Sequence, residues 1–239
     1  MKAVTCELYR MLRGRWFWLT VLGTAVCLWL GLGSNSWEMI RHGYFGNEIL
    51  ELLKTALTGQ SSVLLLPALA ALPAANNALN EIRCGAMRMR VFRVGRRHYR
   101  VGKLAVCTLG AMLSQLLGMM LFYGVLWAMY AAHGVANVIA LTSILSMITA
   151  RLLAAGAYAC LGAMIALWTD ASASAYVAPM AACFTLKLLG SRFFIDVPYV
   201  DPSDWLAGSN FALGLTLILC VGMLILFDIV LRKEMRKNA

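Results

Sequence analysis

The segment from Asn80 to Lys103 is strongly basic, and a long apolar run stands on each side of it. Glu81 is its only acid. Loops rich in Lys and Arg stay on the cytoplasmic side of a membrane, so this segment predicts two membrane spans that are joined inside the cell. Its mixture of charged, methionine and aromatic side chains also predicts a surface on which another protein docks. Its eight basic residues are Arg83, Arg88, Arg90, Arg93, Arg96, Arg97, Arg100 and Lys103.

The composition places the whole chain in a membrane. Of the 239 residues, 61% are hydrophobic and only 13% are charged, and the mean hydropathy is +0.74. These values exclude a soluble domain with a large core. A net charge of +10 would favour nucleic-acid binding in a soluble protein, but the orientation of the spans accounts for it here, so we expect no nucleic acid. The seven cysteines contain no C-x-x-C pair, and we expect neither a disulfide framework nor a metal site.

We predict an all-α integral membrane protein with one transmembrane domain over residues 1–239. A membrane span needs about 20 mainly apolar residues. With the N-terminus inside, 16 of the 21 Lys and Arg residues fall in inner segments, so both termini are expected in the cytoplasm. The outer loops are then 34–59 and 191–208, the latter an outer segment before the last span. The six predicted spans are 16–33, 60–79, 104–132, 138–168, 172–190 and 209–231.

Residues 1–15 are predicted to form an amphipathic helix. Val4, Leu8, Met11 and Leu12 recur at the spacing of one helical face, while charged residues occupy the other faces. Such a helix lies along the inner surface of the membrane before the chain turns into the first span. The alternative is that this segment is only the positive flank of that span.

Three prolines and one arginine stand out inside the predicted spans. Pro67 and Pro73 in the second span and Pro179 in the fifth each remove a backbone donor, which predicts helix kinks. Arg151 lies deep in the fourth span, where a charge costs about 2.5 kcal/mol or more on insertion scales. We expect it to face protein, a cavity or water. Two interpretations stay open. In the first, it contacts an anionic substrate group or supports gating; in the second, it is structural and either bonds carbonyl groups of a neighbouring span or extends outward to the membrane surface.

The sequence carries no catalytic or nucleotide-binding motif. The segment from Gly95 to Lys103 differs from a phosphate loop, because six residues separate its glycines and Leu104 replaces the Ser or Thr. The three histidines lie far apart and form no catalytic pattern. We therefore expect that this chain is not an enzyme and binds no cofactor itself.

The order of these elements resembles the membrane subunits of type-2 ABC exporters. In that family an acid, a Gly, then Arg, Tyr and Lys lead from the second span into the third. Cys84 and Ala86 depart from the family, which often has small hydroxyl residues beside the Gly. The resemblance covers essentially the whole chain, and its small size and paired prolines are similar to compact bacterial permeases of antimicrobial-peptide export or immunity. The matching residues are Glu81, Gly85, Arg96, Arg97, Tyr99 and Lys103.

The resemblance implies a subunit of an ATP-driven exporter in the bacterial cytoplasmic membrane. ATP and Mg would bind separate ATP-binding-cassette ATPase subunits, and a second permease subunit, identical or related, would complete the path. Segment 81–100 would be the coupling helix, with Met87 giving apolar contact. Because the spans hold few polar groups, we expect an amphiphilic substrate: an antimicrobial peptide, a lipid-like compound or a drug. The alternatives are a membrane scaffold or regulatory subunit, a channel or ion-driven carrier, and a basic loop that only contacts anionic lipid headgroups.

Overall fold

The computed structural model describes residues 2–33, 49–130, 138–193, 199–206 and 210–237. Over these ranges the chain is entirely helical, with ten α-helices and no strand, which confirms the predicted all-α class. Much of the expected outer loop 34–59, and parts of the expected outer segment 191–208, lie outside the described residues. The helices are α1 (Lys2–Leu12), α2 (Arg15–Gly31), α3 (Ile49–Thr58), α4 (Gln60–Ala71), α5 (Asn77–Arg83), α6 (Ala86–Val94), α7 (Arg96–Tyr130), α8 (Val138–Thr169), α9 (Ser174–Arg192) and α10 (Asn210–Lys237), with a short 3-10 turn at Asp204–Leu206.

Three of these helices are long and apolar enough to cross a membrane. They are Arg96–Met129 of α7, Ile144–Thr169 of α8 and Phe211–Lys237 of α10, and they match the third, fourth and sixth predicted spans. Leu52–Thr58 and Gln60–Ala71 meet at an angle of 71°, and they add a fourth crossing if the bent pair counts as one span. Helix α2 is apolar but has only 17 residues. By length and composition, the described helices are thus compatible with insertion into a membrane.

Helix α3 lies inside the segment that the sequence analysis assigned to an outer loop. Its apolar residues recur at helical spacing, and Leu53, Ala56 and Leu57 are buried against neighbours from α2, α4 and α7. Lys54 conceals this pattern in a count of charges, because it lies on the exposed face of the helix. If the bent pair is one span, that span begins before the expected residue 60 and bends by 71° at Gly59.

The prolines have different effects on their helices. Helix α4 continues through Pro67 and α9 continues through Pro179, whereas α4 ends at Ala71, just before Pro73. Pro67 removes the N–H that would bond the carbonyl oxygen of Val63. The thiol of Cys183 from α9 donates to that oxygen at 3.3 Å. A side chain from a neighbouring helix thus replaces the missing backbone donor.

Helix α8 lies at the centre of the bundle and packs against α4, α7, α9 and α10. Its buried face is built largely from alanines, including Ala155, Ala159 and Ala163 at a spacing of four residues. Small side chains at that spacing let helices approach closely in a membrane protein. A second apolar cluster joins α2, α3 and α4 to the far end of α7.

Candidate docking surface and buried cations

Two glycines separate α6 from the helices on either side of it. Gly85 has φ +67° and Gly95 has φ +85°, a region that L-residues with a side chain rarely adopt. The chain turns sharply at both positions, so α6 stands as a separate short helix between α5 and the long helix α7. Segment 80–103 is therefore the end of α5, all of α6 and the start of α7.

Helix α6 has one packed face and one open face. Met87 is buried, and Val91 packs against the same core. On the other side Met89 is 68% exposed and Phe92 is 92% exposed, with Arg93 exposed beside it. A large aromatic side chain that is almost fully exposed on an ordered helix is a feature of binding surfaces.

A groove of about 380 Å³ runs between α6 and the end of α10. Met87, Val91, Phe92 and Met235 give it an apolar floor, and arginines stand at its edge. The groove suits an apolar side chain of another molecule that has acidic residues next to it. The guanidinium groups at the edge of the groove can form forked bonds with those carboxylates. The two arginines among its lining residues are Arg88 and Arg96.

Beneath the start of α7 lies a partly buried group of five charged side chains and one tyrosine, which we call the carboxylate cluster: Glu7, Arg10, Glu81, Arg90, Tyr99 and Lys103. The side chain of Lys103 is only 4% exposed and that of Glu81 only 8% exposed. The Lys103 Nζ lies 2.5 Å from Glu81 Oε1 and 3.0 Å from Glu7 Oε2. The Tyr99 hydroxyl donates to Glu81 Oε2 at 2.9 Å. Both carboxylates thus neutralise one buried ammonium group.

Two arginines complete the carboxylate cluster from the side of the solvent. Arg10 of α1 donates to Glu81 Oε1 at 3.0 Å and to Glu7 at 3.2 Å. Arg90 of α6 donates to Glu7 Oε1 at 2.7 Å and also to Glu81 Oε1. The cluster therefore joins four helices, α1, α5, α6 and α7, and fixes α6 against the bundle.

The carboxylate of Glu81 is held in its charged form. Burial on its own raises the pKa of a carboxyl group, but the charge of Lys103 and hydrogen bonds from Lys103, Arg10 and Tyr99 outweigh this effect. The pKa of Glu81 therefore lies below its ordinary value.

Further polar contacts gather other parts of the chain at the same end of the bundle. Arg83 of α5 donates to Asp170 Oδ1 at 3.1 Å, in the turn between α8 and α9. Arg100 of α7 donates to both carboxylate oxygens of Asp228, near the end of α10, at 3.0 and 3.1 Å. Helix α1, segment 80–103, the α8–α9 turn and the C-terminal part of α10 therefore share one end, as the predicted orientation requires.

Arg151 lies elsewhere, in the core between α8 and α4. It is 5% exposed, and its guanidinium donates to the carbonyl oxygen of Ser62 at 2.7 Å. No carboxylate of the described residues lies within 4.0 Å of it. Gln115 of α7 makes a similar bond, from Nε2 to the carbonyl of Leu66 at 2.8 Å. Side chains of α7, α8 and α9 thus all donate to the backbone of the proline-containing helix α4.

The structure distributes the predicted site residues over four places. Glu81, Tyr99 and Lys103 come together in the carboxylate cluster, and Met87 lines the groove. Gly85, Arg96 and Arg97 are exposed at or near the two ends of α6, and Arg151 stands apart. Sequence reasoning did not identify Glu7 or Arg10 as site residues, and it named Arg90 only as one of the eight basic residues of 80–103. The sequence does contain one signal for Glu7. It is the only acid of residues 1–15, just as Glu81 is the only acid of residues 80–103.

Comparison with protein-family models, with curated proteins and with solved structures gave no match to this chain.

Proposed function

We propose that the chain is the membrane-spanning subunit of an ATP-driven exporter of an amphiphilic substrate, energised by a separate ATP-binding-cassette ATPase that docks on α6. The observation that carries the proposal is the open face of α6, where Phe92 and Met89 project beside exposed arginines from a helix that the carboxylate cluster holds in place.

The chemistry of the open face suits a protein partner. An aromatic anchor with arginines around it is the composition of binding hot spots. Phe92 and Met89 supply the apolar contact, and the guanidinium groups of Arg93, Arg96 and Arg97 suit carboxylates on the partner. A loop that only contacts lipid headgroups needs the arginines but not an exposed aromatic side chain, so a protein partner is favoured.

The carboxylate cluster gives α6 a mechanical connection to the spans. If a partner pushes α6, then α1 and α7 must move with it or the buried ion pairs must break. Breaking a buried pair by removing one member costs about 3–5 kcal/mol, so a concerted movement is the easier path. The start of α7 contributes Tyr99 and Lys103 to the cluster, and α7 continues as one helix to Tyr130. A displacement at α6 is therefore transmitted along α7 into the membrane.

The proposed topology has six crossings with both termini in the cytoplasm of a bacterial cell. The crossings are α2, the bent pair α3 and α4, α7, α8, α9 and α10. The polar contacts at one end of the bundle support this topology. It places that end on the cytoplasmic side, together with the excess of Lys and Arg. The 17 residues of α2 span about 26 Å, slightly less than the hydrocarbon thickness of about 30 Å, which local thinning accommodates.

The internal bonds of the spans support an amphiphilic substrate. Arg151 and Gln115 are buried and donate to backbone carbonyls of α4, and Thr149 bonds the turn before it in α8. Polar groups that are engaged in this way do not replace the hydration shell of a hydrophilic solute. A peptide or lipid-like molecule needs fewer polar partners within the spans, because its apolar part stays shielded from water. A second permease subunit, identical or related, completes the path in this proposal.

The test is to purify the full chain from its native membranes in mild detergent and to measure ATP hydrolysis in the purified material. We expect an ATPase subunit to copurify with the wild type. The Phe92→Ala variant and the charge-reversal variant Arg96→Glu/Arg97→Glu should lose it. The matched control is Phe184→Ala, which removes an exposed phenyl group from α9 instead.

Three outcomes decide the proposal. Loss of the ATPase in the α6 variants and not in the control supports docking on α6. Equal copurification with all four proteins contradicts it. A stable chain that hydrolyses no ATP in any preparation and protects no sensitive host against membrane-active peptides favours the scaffold alternative.

A further inference from the structure

Helix α10 carries a continuous exposed face that changes from apolar to basic along its length. Ile218, Ile225 and Ile229 are exposed, and Arg232 and Arg236 follow on the same face. At 100° per residue, the steps of 7, 4, 3 and 4 residues keep all five side chains on one side of the helix. The apolar part is as long as several helical turns, and the basic part begins where it ends.

The basic end of this face opens into a hollow of about 230 Å³ between α10 and the start of α7. Four arginines line it together with Met235. Asp228 holds two of them in position: Arg100 bonds both of its oxygens, and Arg232 bonds Oδ2 at 2.7 Å. Four guanidinium groups around one hollow attract an anion, and forked bonds to phosphate oxygens are their preferred contact. The arginines are Arg96, Arg100, Arg232 and Arg236.

We infer that this hollow binds the phosphate of an anionic phospholipid whose acyl chains lie along the isoleucine face of α10. The inference does not rest on the ATPase proposal, although Arg96 and Met235 line both this hollow and the groove beside α6. Basic residues beside the end of a span attract anionic headgroups, and the adjoining apolar face matches the acyl chains of the same molecule. A free phosphate would use the hollow but not the isoleucines.

A second copy of this chain is a poorer occupant of the face. An apolar helix face by itself fits a protein partner as well as a lipid. A symmetric copy packed in parallel, however, would bring a second basic end with Arg232 and Arg236 against the first, and like charges repel. An anionic lipid instead supplies the opposite charge at the required position.

The experiment uses the full chain, purified and freed of lipid in a neutral detergent, with bound lipid counted by native mass spectrometry. Phosphatidylglycerol is the anionic probe, and phosphatidylcholine is the zwitterionic one. The test variants are Arg236→Gln and Arg232→Gln/Arg236→Gln. The matched control, Arg93→Gln/Arg97→Gln, removes two exposed arginines that do not line the hollow. Thermal unfolding in the same detergent identifies any variant that fails to fold, and the single variant retains the Arg232–Asp228 bond.

We expect the double variant to bind phosphatidylglycerol about tenfold more weakly and the single variant severalfold more weakly, while the control stays at the wild-type value. Phosphatidylcholine binding should be the same in all four proteins. An Ile225→Ser/Ile229→Ser variant should also weaken phosphatidylglycerol binding, and glycerol 3-phosphate should not displace the lipid at similar concentrations.

Several results would overturn the inference. Equal weakening by the control would show general charge attraction, and displacement by glycerol 3-phosphate would show a site for free phosphate. A change of oligomeric state with unchanged lipid binding in Ile225→Ser/Ile229→Ser would assign the face to a second copy of the chain.

Discussion

Lys103 and Arg151 are both buried cations, but their surroundings differ. Lys103 lies between the carboxylates of Glu81 and Glu7, at 2.5 and 3.0 Å. Arg151 lies against one backbone carbonyl, that of Ser62, at 2.7 Å. The first charge is neutralised within a network that joins four helices, and the second acts as a hydrogen-bond donor to one helix. Burial alone therefore does not tell what a charged residue does in a membrane bundle.

The difference has an energetic consequence. Removing a carboxylate from a buried pair leaves an uncompensated charge, which is among the most destabilising of single changes. Removing a buried cation that has no carboxylate partner also removes the cost of its own desolvation, which offsets the loss of its bond. Substitutions in the two regions should therefore change the free energy of unfolding by different amounts.

The largest expected effect comes from Glu81→Ala. This change leaves Lys103 buried with only Glu7 as a partner and should lower the free energy of unfolding by about 3 kcal/mol. The measurement is unfolding of the detergent-solubilised protein, followed by far-ultraviolet circular dichroism. In the double variant Glu81→Ala/Lys103→Met the loss should be smaller than the sum of the two single losses. If the two single losses add strictly in the double variant, the proposed ion pair between Lys103 and Glu81 is contradicted.

Acid should weaken the carboxylate cluster and leave the Arg151 contact intact. The pKa of Glu81 is lowered in the folded chain, so its contribution is complete above the ordinary carboxyl value of 4.5 and is lost as the pH falls below it. The effect should be smaller than that of Glu81→Ala, because a protonated carboxyl still accepts hydrogen bonds. The stability advantage of wild type over Glu81→Gln should shrink between about pH 7 and about pH 3. An advantage that stays constant with pH would contradict the charged state.

Arg151→Met should change the free energy of unfolding by only about 1 kcal/mol, since the lost bond to Ser62 and the relieved desolvation oppose each other. Lys103→Met, measured under the same conditions, should be clearly more destabilising. If Arg151→Met is instead more destabilising than Lys103→Met, the contrast between the two regions is wrong. Arg151→Gln keeps a donor for the carbonyl. If Arg151→Gln transports normally and remains stable, the arginine has no functional charge.

The smallest effect belongs to Arg83→Gln. Arg83 and Asp170 form an ion pair in which both side chains are largely solvent-accessible, at 45% and 75%. Exposed pairs contribute between about 0 and 1 kcal/mol, and salt screens them. The variant should unfold within that range of wild type at high salt. A loss as large as that of Glu81→Ala would show that this ion pair contributes as much to stability as the carboxylate cluster does.

The sequence predicted the helical class, because long apolar runs leave few other structures possible in a membrane. It also located segment 80–103, but both bounds of that segment fall inside helices, and the turns at Gly85 and Gly95 divide it among α5, α6 and α7. It did not identify α3, because Lys54 adds a charge to the exposed face of an otherwise largely apolar helix.

The composition of the candidate site was only partly predictable. Glu81, Tyr99 and Lys103 are within 22 positions of one another and are visible as a local pattern. Arg10 reaches Glu81 across 71 positions, and Arg100 reaches Asp228 across 128, so only the packing of α1 and α10 on α7 reveals these pairs. The exposure of Phe92 depends in the same way on which face of α6 packs.

The most direct test separates partner binding from the transmission of movement. The chain would be reconstituted in liposomes with the proposed ATPase partner. Two quantities would be measured for wild type, Phe92→Ala and Glu81→Gln: the amount of bound ATPase and the stimulation of ATP hydrolysis by substrate. We predict that Phe92→Ala loses binding, whereas Glu81→Gln binds the ATPase normally and loses most of the stimulation. Wild-type stimulation in Glu81→Gln, with the carboxylate cluster disrupted, would contradict the account.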